Sequence, residues 1–241
     1  MVPLLLSAAL GLVHLGAGKL RFLDTVPRSR WLSFASGISV AYVFAHLLPE
    51  VAGGQRALAA AGADEFVVGE GHVWLLALLG LVAFYGLERM AKASREESED
   101  EGGGDHTEPG VFWLHIASYG LYNVLVGYLL AEIEGAVGRA EFLFWAAMAL
   151  HFLVNDYGLR LHHKARYTRS GRWVLAGAVV AGTALGLATA VPEAVIASLV
   201  AFLAGGVVLN VLKEELPEER ESRFWPFALG AFGYAALLTT I

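Results

Sequence analysis

Eight uncharged, largely apolar runs alternate with short charged segments along the chain. They span 2–18, 31–49, 71–87, 110–131, 142–155, 173–192, 194–212 and 224–241. Seven of the runs are about 17–22 residues long, which is the length that an α-helix needs to cross a hydrocarbon core of about 30 Å. The fifth run is shorter because Asp156 interrupts it, after which it resumes to Leu159. Since unpaired backbone groups are costly in lipid, the runs predict eight transmembrane helices rather than open strands.

The first run could also belong to a cleaved signal peptide. Its apolar residues begin at Val2, so no basic segment precedes them. A signal peptide normally starts with such a basic segment. We therefore expect the first run to be a membrane-spanning helix.

Lysine and arginine residues are concentrated in every second loop. The loops after the first, third, fifth and seventh runs hold all but two of the 17 basic residues, and the exceptions are Arg56 and Arg139. Loops on the cytoplasmic side of a membrane are enriched in Lys and Arg. The pattern therefore predicts that these four loops are cytoplasmic, in an inner or plasma membrane, and that both termini lie outside.

Segment 94–110 is rich in acidic residues and contains three consecutive glycines. Such a composition cannot bury an apolar core, so it predicts a disordered cytoplasmic loop. The loop divides a single membrane domain into helices 1–3, within 1–93, and helices 4–8, within 111–241. A role in holding zinc is disfavoured, because the loop offers one histidine, His106, and no cysteine.

A short internal repeat relates the second and seventh helices. Segment 37–50 reads GISVAYVFAHLLPE and segment 205–218 reads GGVVLNVLKEELPE, with the glycine and the Leu-Pro-Glu end at the same spacing. The two segments are predicted to end on opposite sides of the membrane. They indicate two three-helix blocks, helices 1–3 and 6–8, in inverted orientation around helices 4 and 5. Inverted repeats of this kind are typical of transporters, whose substrate sites lie near the bilayer midplane.

The composition agrees with a membrane protein and excludes several other classes. Hydrophobic residues make up 56% of the chain and charged residues 17%, with a mean hydropathy of +0.56, whereas a soluble domain carries about 25% charged residues. The net charge of −6 argues against nucleic-acid binding. Because the sequence has no cysteine, disulfides, thiolate metal sites and cysteine nucleophiles are excluded.

Polar residues at membrane depth are costly and often mark a site. His151 and Asn155 are four residues apart on helix 5, Asp156 is adjacent, and Asn123 lies at similar depth on helix 4. An imidazole nitrogen, amide oxygens and a carboxylate suit a divalent transition metal such as zinc or iron(II). The alternative is a structural role, since such groups also form hydrogen bonds between helices, and Asp156 can pair with Arg160 one turn later.

The other histidines are expected to have more peripheral roles. His46 and Glu50, four residues apart at the predicted outer end of helix 2, would collect cations at an entrance, or would only cap a helix that ends at Pro49. His14 stands alone in helix 1 and is expected to be a packed or hydrogen-bonded histidine. His162 and His163, at the inner end of helix 5, would serve an exit or face lipid headgroups.

Taken together, these features resemble the ZIP family of divalent-metal transporters. The likeness is carried by the eight-helix arrangement with a long loop after helix 3, by segments 37–50 and 201–210, and by HFLVNDYG at 151–158, which is similar to the family's fifth-helix signature. The resemblance implies a homodimer and an ion site between helices 4 and 5. It extends over nearly the whole chain.

The chain departs from the ZIP pattern at several ligand positions. Tyr122 and Val126 stand where the family has histidine and glutamate, and Phe152 stands at an acidic position. Asn123, His151, Asn155 and Asp156 remain as matched ligands, so the resemblance implies one weak metal site, or none, instead of two.

The function expected from this reasoning is transport of a zinc- or iron-class ion toward the cytoplasm. The metal would be a substrate, no cofactor is expected, and the protein would not be an enzyme. The alternative is a non-transporting sensor or scaffold that kept the ZIP-like fold and lost the metal site. A membrane-embedded metal hydrolase is disfavoured, because it needs at least three metal ligands and the sequence lacks the HExxH and GxSxG motifs.

Overall fold

The computed structural model describes residues 2–19, 30–60, 72–100, 108–132, 139–215 and 223–239. Within these ranges the chain is helical and has no strand. We number the helices in chain order: α1 is Val2–Gly16 with a 3-10 turn at Ala17–Lys19, α2 is residues 30–60, α3 is His72–Asp100, α4 is Pro109–Glu132, α5 is Arg139–Arg166, α6 is Arg172–Ala188, α7 is Glu193–Glu215 and α8 is Phe224–Leu238.

The described helices form a bundle that suits a membrane. Six segments are long and apolar enough to cross a bilayer, and they are Val2–Lys19, Arg30–Ala59, His72–Ser98, Pro109–Ala131, Phe142–Ala188 and Glu193–Lys213. The fifth of these contains both α5 and α6, and α8 is a shorter apolar helix. Large apolar side chains such as Trp225 and Phe232, which are 80% and 76% exposed, cover the outside of the bundle. The described residues are therefore all helical, as predicted, and their long apolar helices are those expected of a multi-pass membrane protein.

The C-terminal halves of α1, α3, α5 and α7 approach one another at one end of the bundle. Glu88 of α3 contacts His162 of α5 and Lys213 of α7, and Arg160 donates a hydrogen bond to the carbonyl oxygen of Gly18, which follows α1. We call this end the inner end, after its predicted cytoplasmic side, and the opposite end the outer end. Which side faces the cytoplasm stays a prediction.

The helices associate differently from the predicted three-helix blocks. α2 packs mainly against α8 and α3 mainly against α7, while α1, α4, α5 and α6 contact one another. α4 also packs far more extensively against α6 than against α5. Helices 1–3 and 6–8 are thus interleaved and do not form separate bodies around a central pair, because the contact surfaces are determined by small residues on particular helix faces.

Glycines at the start of the two aligned segments make these contacts close. A Cβ atom at Gly37 would overlap the carbonyl oxygen of Phe227 on α8, and a Cβ atom at Gly205 would overlap that of Ala77 on α3. Small residues allow such backbone approach between membrane helices. The Leu-Pro-Glu end of the second segment, at 216–218, lies outside the described residues.

The partner helix also has a glycine at each of these two contacts. Gly230 on α8 faces the carbonyl oxygen of Phe34, and Gly80 on α3 faces the carbonyl oxygen of Phe202. The α2–α8 and α3–α7 contacts are therefore built in the same way, each from a reciprocal pair of glycines. The two copies of the short sequence repeat therefore make the same kind of helix contact.

α2 continues well past the predicted end at Pro49. It consists of Arg30–Tyr42, a π-helical turn at Val43–Leu47 and Leu48–Ala60. The backbone N–H of Leu48 bonds to the carbonyl oxygen of Val43, five residues back. A π turn often interrupts an α-helix next to a functional site, and here the wider turn allows the helix to pass through Pro49.

Part of the segment predicted to be disordered is helical. α3 extends to Asp100, and residues 101–107, including His106, lie outside the described residues. Glu-rich sequences are good helix formers, and the ammonium of Lys92 lies 3.8 Å from Glu96 one turn later. Ser94 accepts a 2.8 Å hydrogen bond from the backbone N–H of Glu108, which ties α3 to the start of α4.

α5 and α6 are joined without a loop. Lys164 has φ 42° and ψ −118°, which breaks the helix, and a π-helical turn follows at Tyr167–Gly171. A positive φ is unfavourable for a residue with a side chain. This kink directs Tyr167 back toward the interior of the bundle, where it is buried.

Candidate functional site

His14 on α1 is at the centre of a buried polar network. Its Nδ1 lies 2.8 Å from Oδ1 of Asp156 on α5, and its Nε2 lies 2.9 Å from Oδ1 of Asn123 on α4. The three residues are only 1–2% exposed. His14 therefore connects two of the four predicted metal ligands and was itself expected only to pack or hydrogen-bond.

The hydrogen bonds identify the donors in this network. Asn123 Nδ2 donates to the backbone carbonyl oxygen of Tyr119 at 2.8 Å, so Asn123 Oδ1 must accept from His14 Nε2. Asp156 Oδ1 also accepts from the hydroxyl of Tyr167. With Asp156 ionised, His14 donates from both ring nitrogens. When His14 is protonated, the two side chains form a buried ion pair, in which each charge compensates the other.

One oxygen of the aspartate has no hydrogen bond. Oδ2 of Asp156 is buried and has no partner among the described residues. Buried side-chain oxygens without a hydrogen-bond partner are uncommon in native proteins, and an ion or a water molecule often accounts for one. The structural alternative placed Arg160 beside Asp156, whereas the contacts found on its Oδ1 come from His14 and Tyr167.

Phe152 explains one departure from the ZIP pattern. It is fully buried and stacks on the His14 ring, with 4.6 Å between ring centroids. The position that carries an acid in the ZIP signature therefore supplies an apolar surface to His14 here. Compared with the ZIP signature, this position offers a cation no ligand. Its phenyl ring packs against His14 instead.

The other two predicted ligands lie in a second group. His151 and Asn155 line a narrow cavity between α3, α4, α5 and α7, together with Asn210 of α7. Asn210 Nδ2 donates to Asn155 Oδ1, and the Tyr119 hydroxyl donates to Asn210 Oδ1 at 3.4 Å. His151 is 3% exposed and lies edge-on to the Tyr122 ring. His151 therefore faces the interior of the bundle and not lipid.

The four predicted ligands thus lie in two groups, on different sides of α5. Asn155 and Asp156 are consecutive, so their side chains point about 100° apart around the helix. Asn155 reaches α7, and Asp156 reaches α1. Among the described residues, no group of three or more His, Asp or Glu side chains is placed to hold a metal ion as the structure stands.

Sequence reasoning missed three residues of these networks. His14 was a histidine in an apolar run, which is itself a signal of function at membrane depth. Asn210 lies within the repeat segment 205–218, but no residue at helical spacing pointed to it. Tyr167 was assigned to a loop, and only the turn after Lys164 brings it to Asp156.

The predicted entrance residues lie together at the outer end. His46 Nε2 is 3.8 Å from Glu50 Oε2, and both side chains are partly exposed. Glu50 lines an open cavity of about 400 Å³ between α2 and α7, with Arg56 and Glu193 on its rim. The pair is not a cap for the end of α2, because the helix continues to Ala60.

Three cavities with shared lining residues lie between the outer end and His151. The outer cavity shares Glu50 and Val200 with a second one, which runs inward past Tyr42 and Met148. The second cavity shares Tyr122, Leu203 and Val207 with the cavity that His151 and Asn155 line. The arrangement places a series of cavities between Glu50 and the central imidazole, and the two inner ones are small, at about 30 and 10 Å³.

Comparison of the chain with protein-family models, with curated proteins and with solved structures found no match. The likeness to ZIP transporters thus rests on the sequence features described above. The function has to be argued from the chain's own helices, cavities and polar side chains.

Proposed function

We propose that this protein is an eight-span membrane transporter that passes a divalent transition metal ion of the zinc or iron class toward the cytoplasm. The observation that carries the proposal is the series of cavities from Glu50 to His151. Burying polar side chains at membrane depth costs free energy, and residues of this kind usually mark a transport pathway or a binding site. The metal is the substrate, and the proposal involves no cofactor and no catalysis.

The outer cavity attracts and collects the ion. The carboxylates of Glu50 and Glu193 line it, and His46 adds an imidazole beside Glu50. Clefts lined by carboxylates concentrate cations from solution. Their exposure leaves the ion partly hydrated at this stage, so the entrance selects for charge more than for the kind of metal.

His151 and Asn155 meet the ion at the centre. They offer an imidazole nitrogen and an amide oxygen toward one cavity, which suits a borderline-soft divalent ion. Asp156 and Asn123 accept hydrogen bonds from His14 in this structure and do not line that cavity. They contribute only after the His14 network and α5 rearrange. The proposed central site is therefore assembled by a rearrangement of the His14 network.

Weak binding is compatible with this role. Only one carboxylate, that of Asp156, belongs to the central set, so the positive charge of a desolvated divalent ion is only partly compensated. A transport site must release its ion as well as bind it. We therefore expect a site of low affinity that favours passage over storage.

Zinc uptake into proteoliposomes tests the proposal. The full chain is reconstituted, and an encapsulated zinc-sensitive dye reports the initial rate. We expect His151→Ala to abolish most of the uptake, and His72→Ala, at the start of α3 and away from the cavities, to leave it unchanged. Equal uptake by the native chain and His151→Ala would contradict the central site.

A non-transporting sensor or scaffold is the second candidate. It is favoured by the absence of a group of three His, Asp or Glu metal ligands among the described residues and by the occupation of both His14 nitrogens. On this alternative, the buried network serves only to hold α1, α4 and α5 together. Native-chain vesicles that take up no more zinc or iron(II) than protein-free vesicles would favour it.

A further inference from the structure

An apolar groove opens on the outside of the bundle, between the first turns of α2 and α8. It is lined by Arg30, Trp31 and Phe34 of α2 and by Trp225, Pro226 and Leu229 of α8. Its volume is about 550 Å³, which falls within the range of roughly 300–1,000 Å³ that binding sites for small molecules occupy. The lining is apolar except for the arginine, so the groove suits a ligand that is mostly hydrocarbon and carries one negative group.

The groove lies toward the inner end of the bundle. α2 begins at Arg30, and its later turns reach the outer cavity, which Glu50 lines. α8 begins beside α2, since the backbone N–H of Arg223 donates a hydrogen bond to Ser33 Oγ at 3.2 Å. Both helices follow loops that the distribution of Lys and Arg predicts to be cytoplasmic. The groove is therefore expected to face the cytoplasmic leaflet.

Two tryptophans, one on each helix, line the groove and remain largely uncovered. Trp31 is 69% exposed and Trp225 is 80% exposed. The close contacts of the two helices, at Gly37 and Gly230, lie further along both chains, so these bulky rings border the open start of the helix pair. Tryptophan is enriched where a membrane meets water, because its apolar ring contacts acyl chains while its N–H reaches polar groups.

Arg30 places a positive charge at the end of the groove nearest the start of α2. Its side chain is exposed, and no acidic side chain of the described residues lies within ion-pair distance of it. A guanidinium presents paired N–H donors that match two oxygens of a phosphate group. Basic pockets between membrane helices on the cytoplasmic side typically bind anionic lipid headgroups.

We propose that this groove is a binding site for an anionic phospholipid, with the phosphodiester on the Arg30 guanidinium and one acyl chain along Trp31, Trp225 and Leu229. The preference for an anionic lipid follows from charge. A choline headgroup would bring a second cation next to the guanidinium, whereas a headgroup with net negative charge would not. The site is separate from the central cavities and does not depend on transport.

The walls of the groove are rigid, which favours binding. Pro226 is the third residue of α8, where a proline is tolerated because the first N–H groups of a helix have no partner within the helix. Tryptophan rings have only two side-chain torsions, so holding them against an acyl chain costs little conformational entropy. A preformed site loses less of its binding free energy to ordering than a flexible one does.

Native mass spectrometry of the full chain in detergent tests the site. The probes are phosphatidylglycerol and phosphatidylcholine with identical acyl chains. We expect the first phosphatidylglycerol to bind about fivefold more tightly than the first phosphatidylcholine, as one basic residue near an anionic headgroup should provide. Arg30→Gln should remove this preference.

Arg169→Gln is the matched control. Arg169 is an exposed basic residue in the turn between α5 and α6, so its substitution removes the same charge without touching the groove. The preference for phosphatidylglycerol should therefore persist in Arg169→Gln. A preference that also persists in Arg30→Gln would overturn the proposal.

Brominated acyl chains test the position of the lipid tail, because bromine quenches the fluorescence of a tryptophan that it contacts. In nanodiscs, brominated phosphatidylglycerol should quench the native chain more than brominated phosphatidylcholine does at the same mole fraction. This excess should disappear when Trp31→Phe and Trp225→Phe are combined. It should persist in Trp113→Phe, which changes a half-exposed ring on α4. An excess that survives in the double variant would also overturn the proposal.

A second copy of the chain is the alternative occupant of the groove. Leu229→Trp fills the groove from an exposed position, and we expect it to weaken phosphatidylglycerol binding about fivefold or more without changing the oligomeric state. The same mass spectra report both quantities. A dimer that disappears in Leu229→Trp while lipid binding stays unchanged would assign the groove to a second copy, and it would overturn the proposal.

Discussion

His14 and Asp156 are 142 residues apart in the sequence, yet His14 Nδ1 lies 2.8 Å from Asp156 Oδ1 in the interior of the bundle. Their contact joins α1 to α5, and Asn123 extends it to α4 through the other ring nitrogen of His14. Both His14 and Asp156 are almost completely buried. Each therefore depends on the other for the compensation of its charge.

Loss of His14 alone should destabilise the protein strongly. Removing one partner of a buried ion pair costs about 3–5 kcal/mol, because the remaining charge is left without compensation. We expect His14→Leu to show this loss in thermal unfolding of the purified protein in detergent. The double variant His14→Leu with Asp156→Leu should recover part of the stability. A single variant as stable as the native chain would mean that the pair carries no charge.

Glycines at the helix contacts should be far less tolerant than their neighbours. A Cβ at Gly230 would overlap the carbonyl oxygen of Phe34, whereas a Cβ at Gly233 meets no atom within 4 Å. Overpacking typically costs about 1–3 kcal/mol, so Gly230→Ala should lower the unfolding temperature and Gly233→Ala should not. The comparison is matched because both glycines lie on α8.

The equivalent pair on α3 provides an independent check. Gly80 faces Phe202 and Gly86 meets no atom within 4 Å. Gly80→Ala should therefore resemble Gly230→Ala in its effect, and Gly86→Ala should be nearly neutral. Equal effects of Gly80→Ala and Gly86→Ala would show that the α3–α7 contact is looser than described.

The backbone strain at Lys164 should be relieved by glycine. Its φ of 42° is disfavoured for any residue with a Cβ atom. We expect Lys164→Gly to raise the free energy of unfolding by roughly 1 kcal/mol. Lys92→Gly, within regular α3, should lower it by about 1 kcal/mol. Two destabilising variants of similar size would argue against the kink between α5 and α6.

The entrance should act through charge. Glu50 is partly exposed and lines the outer cavity, so we expect Glu50→Gln to raise the zinc concentration that gives half-maximal uptake several-fold. The effect should shrink in high salt, where the attraction is screened. Glu96→Gln, on the exposed face of α3, is the control. A Glu50→Gln effect that is independent of salt would point to a direct ligand instead.

The sequence was sufficient to predict the class of fold. Apolar runs separated by charged segments predicted a multi-pass helical membrane protein. This was possible because a helix that crosses lipid needs an uncharged run of a fixed length. Gly37 and Gly205 were found by a short repeat, and both lie at close helix contacts. The pairing of α2 with α8 could not be predicted, since periodicity in one helix does not identify its partner.

The candidate site was only partly predictable for the same reason. Spacing along α5 correctly indicated that His151 and Asn155 share a face, and they line one cavity. Whether Asp156 belonged to that set depended on which helices lay on either side of α5. His14 reaches Asp156 from α1, and Tyr167 reaches it from the turn after Lys164. Neither contact can be predicted from the residues that neighbour Asp156 in the sequence.

The most direct test of the account is the initial rate of zinc entering liposomes that contain the native chain, measured against liposomes without protein. The account predicts a saturable rate above that of the protein-free vesicles, and it predicts that this excess disappears in His151→Ala. A native chain that folds, inserts and carries no zinc or iron(II) across the bilayer would contradict it.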